Sequence, residues 1–430
     1  MPQKSTFIDF SQTVRADPGH RALLSGERYA SADFMRREWD RLWTRTWLLA
    51  GLESDIADPG DFFVFEIGPE SIIVARGRDG ALSAVYNSCQ HRGNRFITRE
   101  RGSLPAFTCP YHGWKYDLDG TLLLVPDADR FTQGTPCERL SLKTVKVEAW
   151  AGLVWVNMDR DCGPLADFLG LIPGQLAAYR FENMVLAQEQ TVALDTNWKT
   201  VIDNFSEQYH VDFIHPQHAT FVDCGNAENE LWPYGHRRVL VEGGVVNPRY
   251  PIPDKVPPVL AAVIEPIGLD PADFAGKVTQ VRRAIQLRKR ALGAERGLDY
   301  TGFSDEQLSD VYQYDIFPNI IATVQMDELW IMRPRPHPTD PGKCFFDKLT
   351  LKAPFNASPH VGGRPEREVI LRDDVLAGRA SMNITIDQDL FYLPAMQAGM
   401  GSRGFTSAWL NQDESRVQHF HDWLDVVMEG

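Results

Sequence analysis

"SCQHRGNRF", Ser88–Phe96, and "TCPYHGWKY", Thr108–Tyr116, decide how this 430-residue chain is read. Each run holds one cysteine, one histidine and one glycine: Cys89, His91 and Gly93, then Cys109, His112 and Gly113. The spacing is C-x-H, seventeen residues, then C-x2-H. Mixed pairs offer one metal centre two soft thiolates and two borderline imidazoles. Zinc fingers usually pair like with like. Two loops that each give one of each ligand suit a two-iron cluster gripped between them. Both thiolates would hold one iron and both imidazoles the other. Neutral imidazoles in place of anionic thiolates reduce the negative charge and raise the potential to roughly −150 to +300 mV.

The runs around these pairs are short and β-rich: "FFVFEI", "SIIVARG", "ALSAVYN", "WKYDL", "TLLLV" and "GLVWVNM". Turn signals divide them at Gly77–Gly80 and at Asp119-Gly120. An all-β domain is expected over 46–160. Together with Gly93, Pro110, Gly113 and Trp114, the two runs resemble the Rieske [2Fe–2S] motif. Asn94 and Tyr111 stand where the respiratory-chain branch has disulfide cysteines, so the resemblance is to the ferredoxin and oxygenase branch. Trp114 has two readings, a lid over the cluster or ordinary core.

A Rieske electron carrier needs about a hundred residues, and the remaining chain calls for a second role. Its densest stretch is "NWKTVIDNFSEQYHVDFIHP", Asn197–Pro216. Thr196–Ile214 reads as one long helix, which puts Asn204, Glu207 and His210 on one face. His215 is five residues past His210, about 140° round a regular helix. Pro216 ends the helix and takes His215 out of helical φ/ψ, which lets it swing back toward His210. Two histidines and a carboxylate on one face of Fe(II) leave positions open for O2 and substrate. The stretch resembles the catalytic motif of Rieske non-heme iron oxygenases, the aromatic-ring-hydroxylating α subunits. The resemblance implies His210 and His215 as iron ligands. It also implies Glu207, with Asn204 beside it, as the acidic link to a Rieske histidine of a neighbouring subunit. The third ligand falls in "TIDQDLFYLPAMQAGM", Thr385–Met400, at Asp389, with Asp387 as the alternative.

The resemblance covers nearly the whole chain and implies an α+β protein. An N-terminal helical segment, 1–45, would pack on the catalytic domain. The all-β Rieske domain would follow, and then a catalytic domain, 161–430, with an antiparallel sheet flanked by helices in a helix-grip-like fold. Cys89, His91, Cys109, His112 and Trp114 would hold the cluster, and His210, His215 and Asp389 the mononuclear Fe(II). The implied activity is that of an O2- and NAD(P)H-dependent terminal oxygenase. It would hydroxylate or demethylate a small molecule, reloaded by a ferredoxin or reductase, in a head-to-tail homotrimer. Stretches 205–222, 231–262, 316–332 and 383–396 are expected to wall the pocket. Their Phe, Val, Ile, Leu and Trp favour an apolar, aromatic substrate. A quaternary amine in an aromatic cage is the other substrate reading. A redox or sensor protein without working mononuclear iron, and a zinc-binding structural protein, are the competing classes.

Bulk properties narrow the partners. A formal net charge of −14 argues against nucleic acid and anionic membrane. No stretch reaches about 18 apolar residues, so no transmembrane helix is expected. Nor does the N-terminal stretch show a signal-peptide pattern. Beyond the two motif cysteines, Cys137, Cys162, Cys224 and Cys344 are scattered, and a reducing cytoplasm is the plain reading. A basic cluster, Arg282, Arg283, Arg288, Lys289 and Arg290, reads first as a solvated helix face and second as a dock for an acidic redox partner. Residues 31–50 read as an amphipathic helix capped by Ser31.

Overall fold

The computed structural model describes residues 22–136, 139–223, 227–296, 300–354 and 363–429. Most of the expected segment 1–45 up to residue 21, and Cys137 and Cys224, lie outside the described residues. Among the described residues no helix is long and apolar enough to cross a membrane.

The Cys/His loops belong to a set of small antiparallel sheets. Four strands run in the order Leu82–Tyr86, Glu70–Arg76, Asp61–Ile67, Arg101–Ser103. Three short ones, Phe107–Thr108, Lys115–Tyr116 and Leu122–Leu124, form a second sheet. The first Cys/His loop follows Leu82–Tyr86 and the second joins Phe107–Thr108 to Lys115–Tyr116. A third sheet brings Leu48–Leu52 against Leu153–Asn157, which pairs in turn with Lys146–Trp150.

Leu48–Leu52 corrects the reading of 31–50 as one helix. Ser31 does cap a helix, accepting from Phe34 N at 3.2 Å, but Ala32–Glu38 passes into one wide turn, Trp39–Trp43, and stops. Leu48, Leu49 and Leu52 are then recruited as strand residues by Val156, Trp155 and Leu153. Tertiary pairing outweighs the local helical period. The short helices pack on the later part of the chain. Trp43 meets Trp198 edge-on at 4.8 Å, and Glu38 takes a buried ion pair from Lys199 at 2.6 Å.

From Val185 onward one eight-stranded sheet dominates. Its order is Glu228–Leu231, Arg237–Val241, Val311–Ile316, Ile320–Gln325, Glu328–Pro336, Cys344–Lys352, Val185–Leu194, Arg367–Ile370. All pairs are antiparallel except the last, where Arg367–Ile370 runs parallel to Val185–Leu194. Alternation along the strands sorts side chains into two cores. Ile321, Met332 and Phe346 face helices Trp198–Phe205, Ile384–Met400 and Ser415–Glu429. Ile320, Ala322, Ile331 and Leu349 face the short helices around Leu165–Tyr179. The first core continues into Phe63, Phe65, Ile72 and Val74, so the four-stranded sheet and the large sheet share apolar packing.

Two further expectations change. The long helix 196–214 is broken: Trp198–Phe205 ends at Ser206, and a new turn, Val211–Ile214, starts after His210. The break has local partners. Arg237 donates Nη2 to Ser206 Oγ at 2.6 Å, and Glu207 Oε2 accepts from His210 N at 3.1 Å. A side chain that bonds nearby backbone N–H competes with continuation of the helix. The basic cluster is a partly exposed face, Arg283 most of all, and its arginines are ion-paired or bonded rather than free. Arg282 pairs with Asp310, Arg283 and Arg290 both reach Asp305, and Arg288 donates to Ile267 O at 2.9 Å. It fastens helix Val281–Glu295 to Asp305–Ser309.

Candidate metal centres

The two Cys/His loops have matching backbone frames. In each, the glycine four residues after the cysteine donates its N–H back to the cysteine carbonyl: Gly93 to Cys89 at 2.8 Å and Gly113 to Cys109 at 3.0 Å. Both glycines have positive φ, 73° and 72°, a conformation that strains other residues. This turn sends the cysteine inward and the histidine toward the rim. Cys89 and Cys109 are buried, whereas His112 is exposed and His91 half-buried.

The four donors converge. His91 Nδ1 and His112 Nδ1 lie 3.1 Å apart, and both cysteines are free thiols. Tyr116 Oη stands 3.3 Å from Cys89 Sγ and accepts from Gln90 N at 3.1 Å. Asn94 Nδ2 approaches Cys109 Sγ at 3.7 Å. Burial raises the Cys89 thiol pKa, and the bond to Tyr116 works against that rise. Trp114 is buried and stacks on His91 with centroids 5.0 Å apart and planes 8° off parallel, with Phe131 edge-on to both rings. Two inward sulfurs and two imidazoles aimed at one point fit a [2Fe–2S] cluster with cysteines on one iron and histidines on the other.

The second centre is assembled from two distant segments. His210 stands at the head of the turn Val211–Ile214. His215, at φ −120° and ψ 58°, is outside the helical region and directly precedes Pro216. Their rings face each other at 5.1 Å, 71° apart. Asp389 comes from helix Ile384–Met400, whose start is capped by Asn383. His215 Nε2 lies 3.1 Å and His210 Nε2 3.7 Å from Asp389 Oδ1. One ligand atom from each residue falls within 4.8 Å of the others.

Each histidine is steered by its other nitrogen. His215 Nδ1 meets Gln388 Oε1 at 2.8 Å, and the same oxygen accepts from Gln217 Nε2 at 2.7 Å. Gln388 is thereby an acceptor toward His215, which puts the ring proton on Nδ1 and the lone pair on Nε2. His210 Nδ1 is hydrogen-bonded to Glu207 in the same manner. Burial disfavours the charged form of His210, but the hydrogen bond and charge of Glu207 and the charge of Asp389 outweigh it, so its pKa is raised. Asp389 Oδ2 is buried with no partner, although Asp389 is only 1 % exposed. A buried carboxylate oxygen left unsatisfied is costly unless a cation takes it. Two imidazole nitrogens and the Asp389 carboxylate fit the donor set of a non-haem Fe(II) site.

Asp387 is not drawn into this group. Its Oδ1 accepts from Met382 N at 2.8 Å and its Oδ2 from Ser381 Oγ at 2.5 Å, so it ties down the start of the helix. Asn204 is buried beside the histidine loop, with its Nδ2 unpartnered. Of the stretches expected to wall a pocket, Phe317, Ile321 and Met332 belong to the core beneath helix Trp198–Phe205. Phe221 joins a separate cluster with Leu260 and Ile285. Gln388, Gln217 and Tyr116 were not singled out from sequence. Gln388 lies 173 residues from His215, and no spacing signals such a contact.

Residues 181–430 match the family model described as ring hydroxylating alpha subunit (catalytic domain), and residues 46–146 match the Rieske [2Fe–2S] domain. The chain belongs to the ring-hydroxylating alpha subunit family, with a Rieske domain ahead of the catalytic domain. Its similar relatives include the carnitine monooxygenase oxygenase subunit of Acinetobacter pittii, 30% identical over 50% of this chain and 57% of that one. The glycine betaine monooxygenase oxygenase subunit of Chromohalobacter salexigens is 34% identical over 50% and 52%. Benzene 1,2-dioxygenase subunit alpha of Pseudomonas putida is 34% identical over 42% of each. The chain thus spans about half the length of the curated relatives it matches. Among solved structures, a quaternary ammonium Rieske monooxygenase with L-carnitine superposes with a TM-score of 0.67, covering 94% of this chain and 95% of that one at 19% identity. Naphthalene 1,2-dioxygenase from Rhodococcus sp. gives 0.65 over 94% of each, also at 19%. These structural likenesses establish the fold.

Proposed function

We propose that the chain is a terminal oxygenase component that oxidises a small organic molecule with O2. The observation that carries this is the convergence of His210, His215 and Asp389, with Asp389 Oδ2 buried and unpaired. When bound, the cluster would supply single electrons and the Fe(II) would supply O2 activation. The protein's part is to position and to insulate. Cys89 and Cys109 would hold the cluster from a buried position, and Tyr116 and Asn94 lie within hydrogen-bonding reach of their sulfurs. His91 and His112 present the other side at the surface. Gln388 and Glu207 fix the imidazoles so that Nε2 faces Asp389.

The exposed rim of the cluster and the Glu207–His210 pair suit electron passage between subunits, with Glu207 meeting a histidine of the neighbouring cluster. A head-to-tail homotrimer, reloaded by a ferredoxin or an NAD(P)H-dependent reductase, is the assembly we infer. Changing Glu207 to Gln should leave iron and cluster content unchanged and cut turnover at least about tenfold, the cost of one charge-assisted bond. Normal turnover in E207Q would contradict the link.

For the substrate, a methylated amine is the reading favoured by relatives named for carnitine and glycine betaine. An aromatic compound is the second, favoured by the benzene dioxygenase relative. Incubation with a surrogate reductase and both substrate classes, with products weighed by mass spectrometry, separates them. Loss of a methyl supports the amine, gain of two oxygens the ring. A single added oxygen on an aromatic supports ring or side-chain monohydroxylation. O2 consumption without a product from either class would contradict both.

A further inference from the structure

Between the Rieske sheet and the large catalytic sheet lies a cavity of about 370 Å³. That volume is in the range of small-molecule sites. No residue of either metal centre lines it. Arg95 and Arg99 reach it from the segment that follows the first cluster loop, and Arg333, Arg335 and Arg367 reach it from the catalytic side. Only two carboxylates, Glu66 and Glu100, line the same space. With the ion pairs behind the wall, seven arginines meet five carboxylates, the additions being Arg101 and Arg364 with Asp55, Glu189 and Asp347. In a chain of net charge −14 this is a local reversal of sign.

The arginines differ in what they have left to offer. Arg333 is fully engaged, donating to Leu49 O and to Asp347, and contributes field only. Arg335 spends Nε and Nη2 on Asp347 and keeps Nη1 on Glu66 O at a loose 3.3 Å. Arg367 uses Nε on Glu189 and Nη1 on Glu100. Arg99 is the least committed: among the described residues its one hydrogen bond is a 3.4 Å contact from Nη2 to Ser103 O. It is nevertheless held in place. Its guanidinium lies 5.1 Å from the Phe62 ring centroid, over Gly102, where an added Cβ would come within 2.8 Å of Cζ.

Planar guanidinium forks that converge from two domains recognise oxyanions through paired N–H bonds. The positive field opposes a cation, and the recessed shape favours a compact ligand over a protein surface. We propose that this cleft binds a small multivalent oxyanion, a polycarboxylate or a polyphosphate, which bridges the Rieske and catalytic domains. Such a ligand stabilises only the arrangement in which both walls are in place.

The test is titration calorimetry on the full metal-loaded chain with citrate and with pyrophosphate at fixed ionic strength. One saturable site per chain is expected. Saturation by citrate alone, pyrophosphate alone or both supports the site and identifies the ligand's chemistry. Affinity should fall at least about tenfold in the R95Q/R99Q double variant, since each charge-assisted bond lost is worth about that much. It should rise in E100Q, which removes an opposing charge. If the double variant melts early, R99Q alone carries the same expectation. No saturable binding of either anion, or equal affinity in wild type and R99Q, would overturn the proposal. Weaker binding in E100Q would also overturn it. Reduction by a protein partner that is lost in R99Q, with no anion binding, would replace it with a protein-docking face.

Discussion

At the residue scale, the iron-site chemistry depends on which nitrogen of each histidine carries its proton. Gln388 decides this for His215, because an amide oxygen already accepting from Gln217 can only accept from the ring. Replacing Gln388 with Leu should lower Fe(II) affinity about 10- to 100-fold, the usual cost of losing such an outer partner. Competition between the protein and a calibrated chelator measures it, and unchanged affinity would show that Gln388 does not orient the ring. The residues that converge were legible in the sequence because their types and spacings are restrictive: C-x-H with C-x2-H, and H-x4-H before a proline. Their supports were not. Tyr116, Gln388 and Gln217 act through contacts with no sequence period, and Tyr116 reads equally well as a buried strand residue.

At the scale of elements, strands were easier to read than the segments between the metal ligands. "NIIATVQM" and "CFFDKLTLKA" became strands Ile320–Gln325 and Cys344–Lys352, since the sheet buries both faces, Ile321 and Phe346 on one side and Ile320 and Leu349 on the other. The helix over 196–214 failed because Ser206 and Glu207 have side-chain partners, Arg237 and His210, that local periodicity does not register. The junction of the large sheet with the short helices depends on a neutral histidine. His236 is fully buried, accepts from Phe317 N at Nδ1 (3.1 Å) and donates from Nε2 to Phe168 O (2.7 Å). Burial lowers its pKa to about 3. Its folded pKa lies below the unfolded value of about 6.5, so the unfolded chain binds more protons between them. Its contribution is therefore complete above about pH 6.5 and falls as pH drops toward 3. Between pH 7 and pH 5 the loss should be about 2 kcal/mol. Urea unfolding of wild type and His236→Gln at both pH values checks this: the variant, though weaker throughout, should have the flatter pH slope. Equal slopes would contradict it.

At the scale of the whole molecule, one apolar core joins the four-stranded sheet, the N-terminal helices and the helix that carries Asp389. The outward-facing cluster histidines and the Glu207–His210 pair give the inferred assembly a direct test. A variant lacking the cluster ligand His91 and a variant lacking Asp389 should each be inactive alone. Co-expressed, they should recover part of the activity, because a mixed trimer joins an intact cluster to a neighbour's intact iron site. Activity that stays absent in purified mixed trimers would contradict transfer between subunits. That two domains exist was legible from the two motifs. Their joint was not, since residues 48–50 fall in the stretch that reads as helix and Arg333 and Arg335 in a run that reads only as strand.

The central claim is that His210, His215 and Asp389 hold a mononuclear iron in addition to the Rieske cluster. Iron and acid-labile sulfide, counted per chain after anaerobic reconstitution of wild type and Asp389→Ala, test it most directly. The account predicts about three irons and two sulfides in wild type, and about two of each in the variant. Two irons in wild type, or three retained without Asp389, would contradict it.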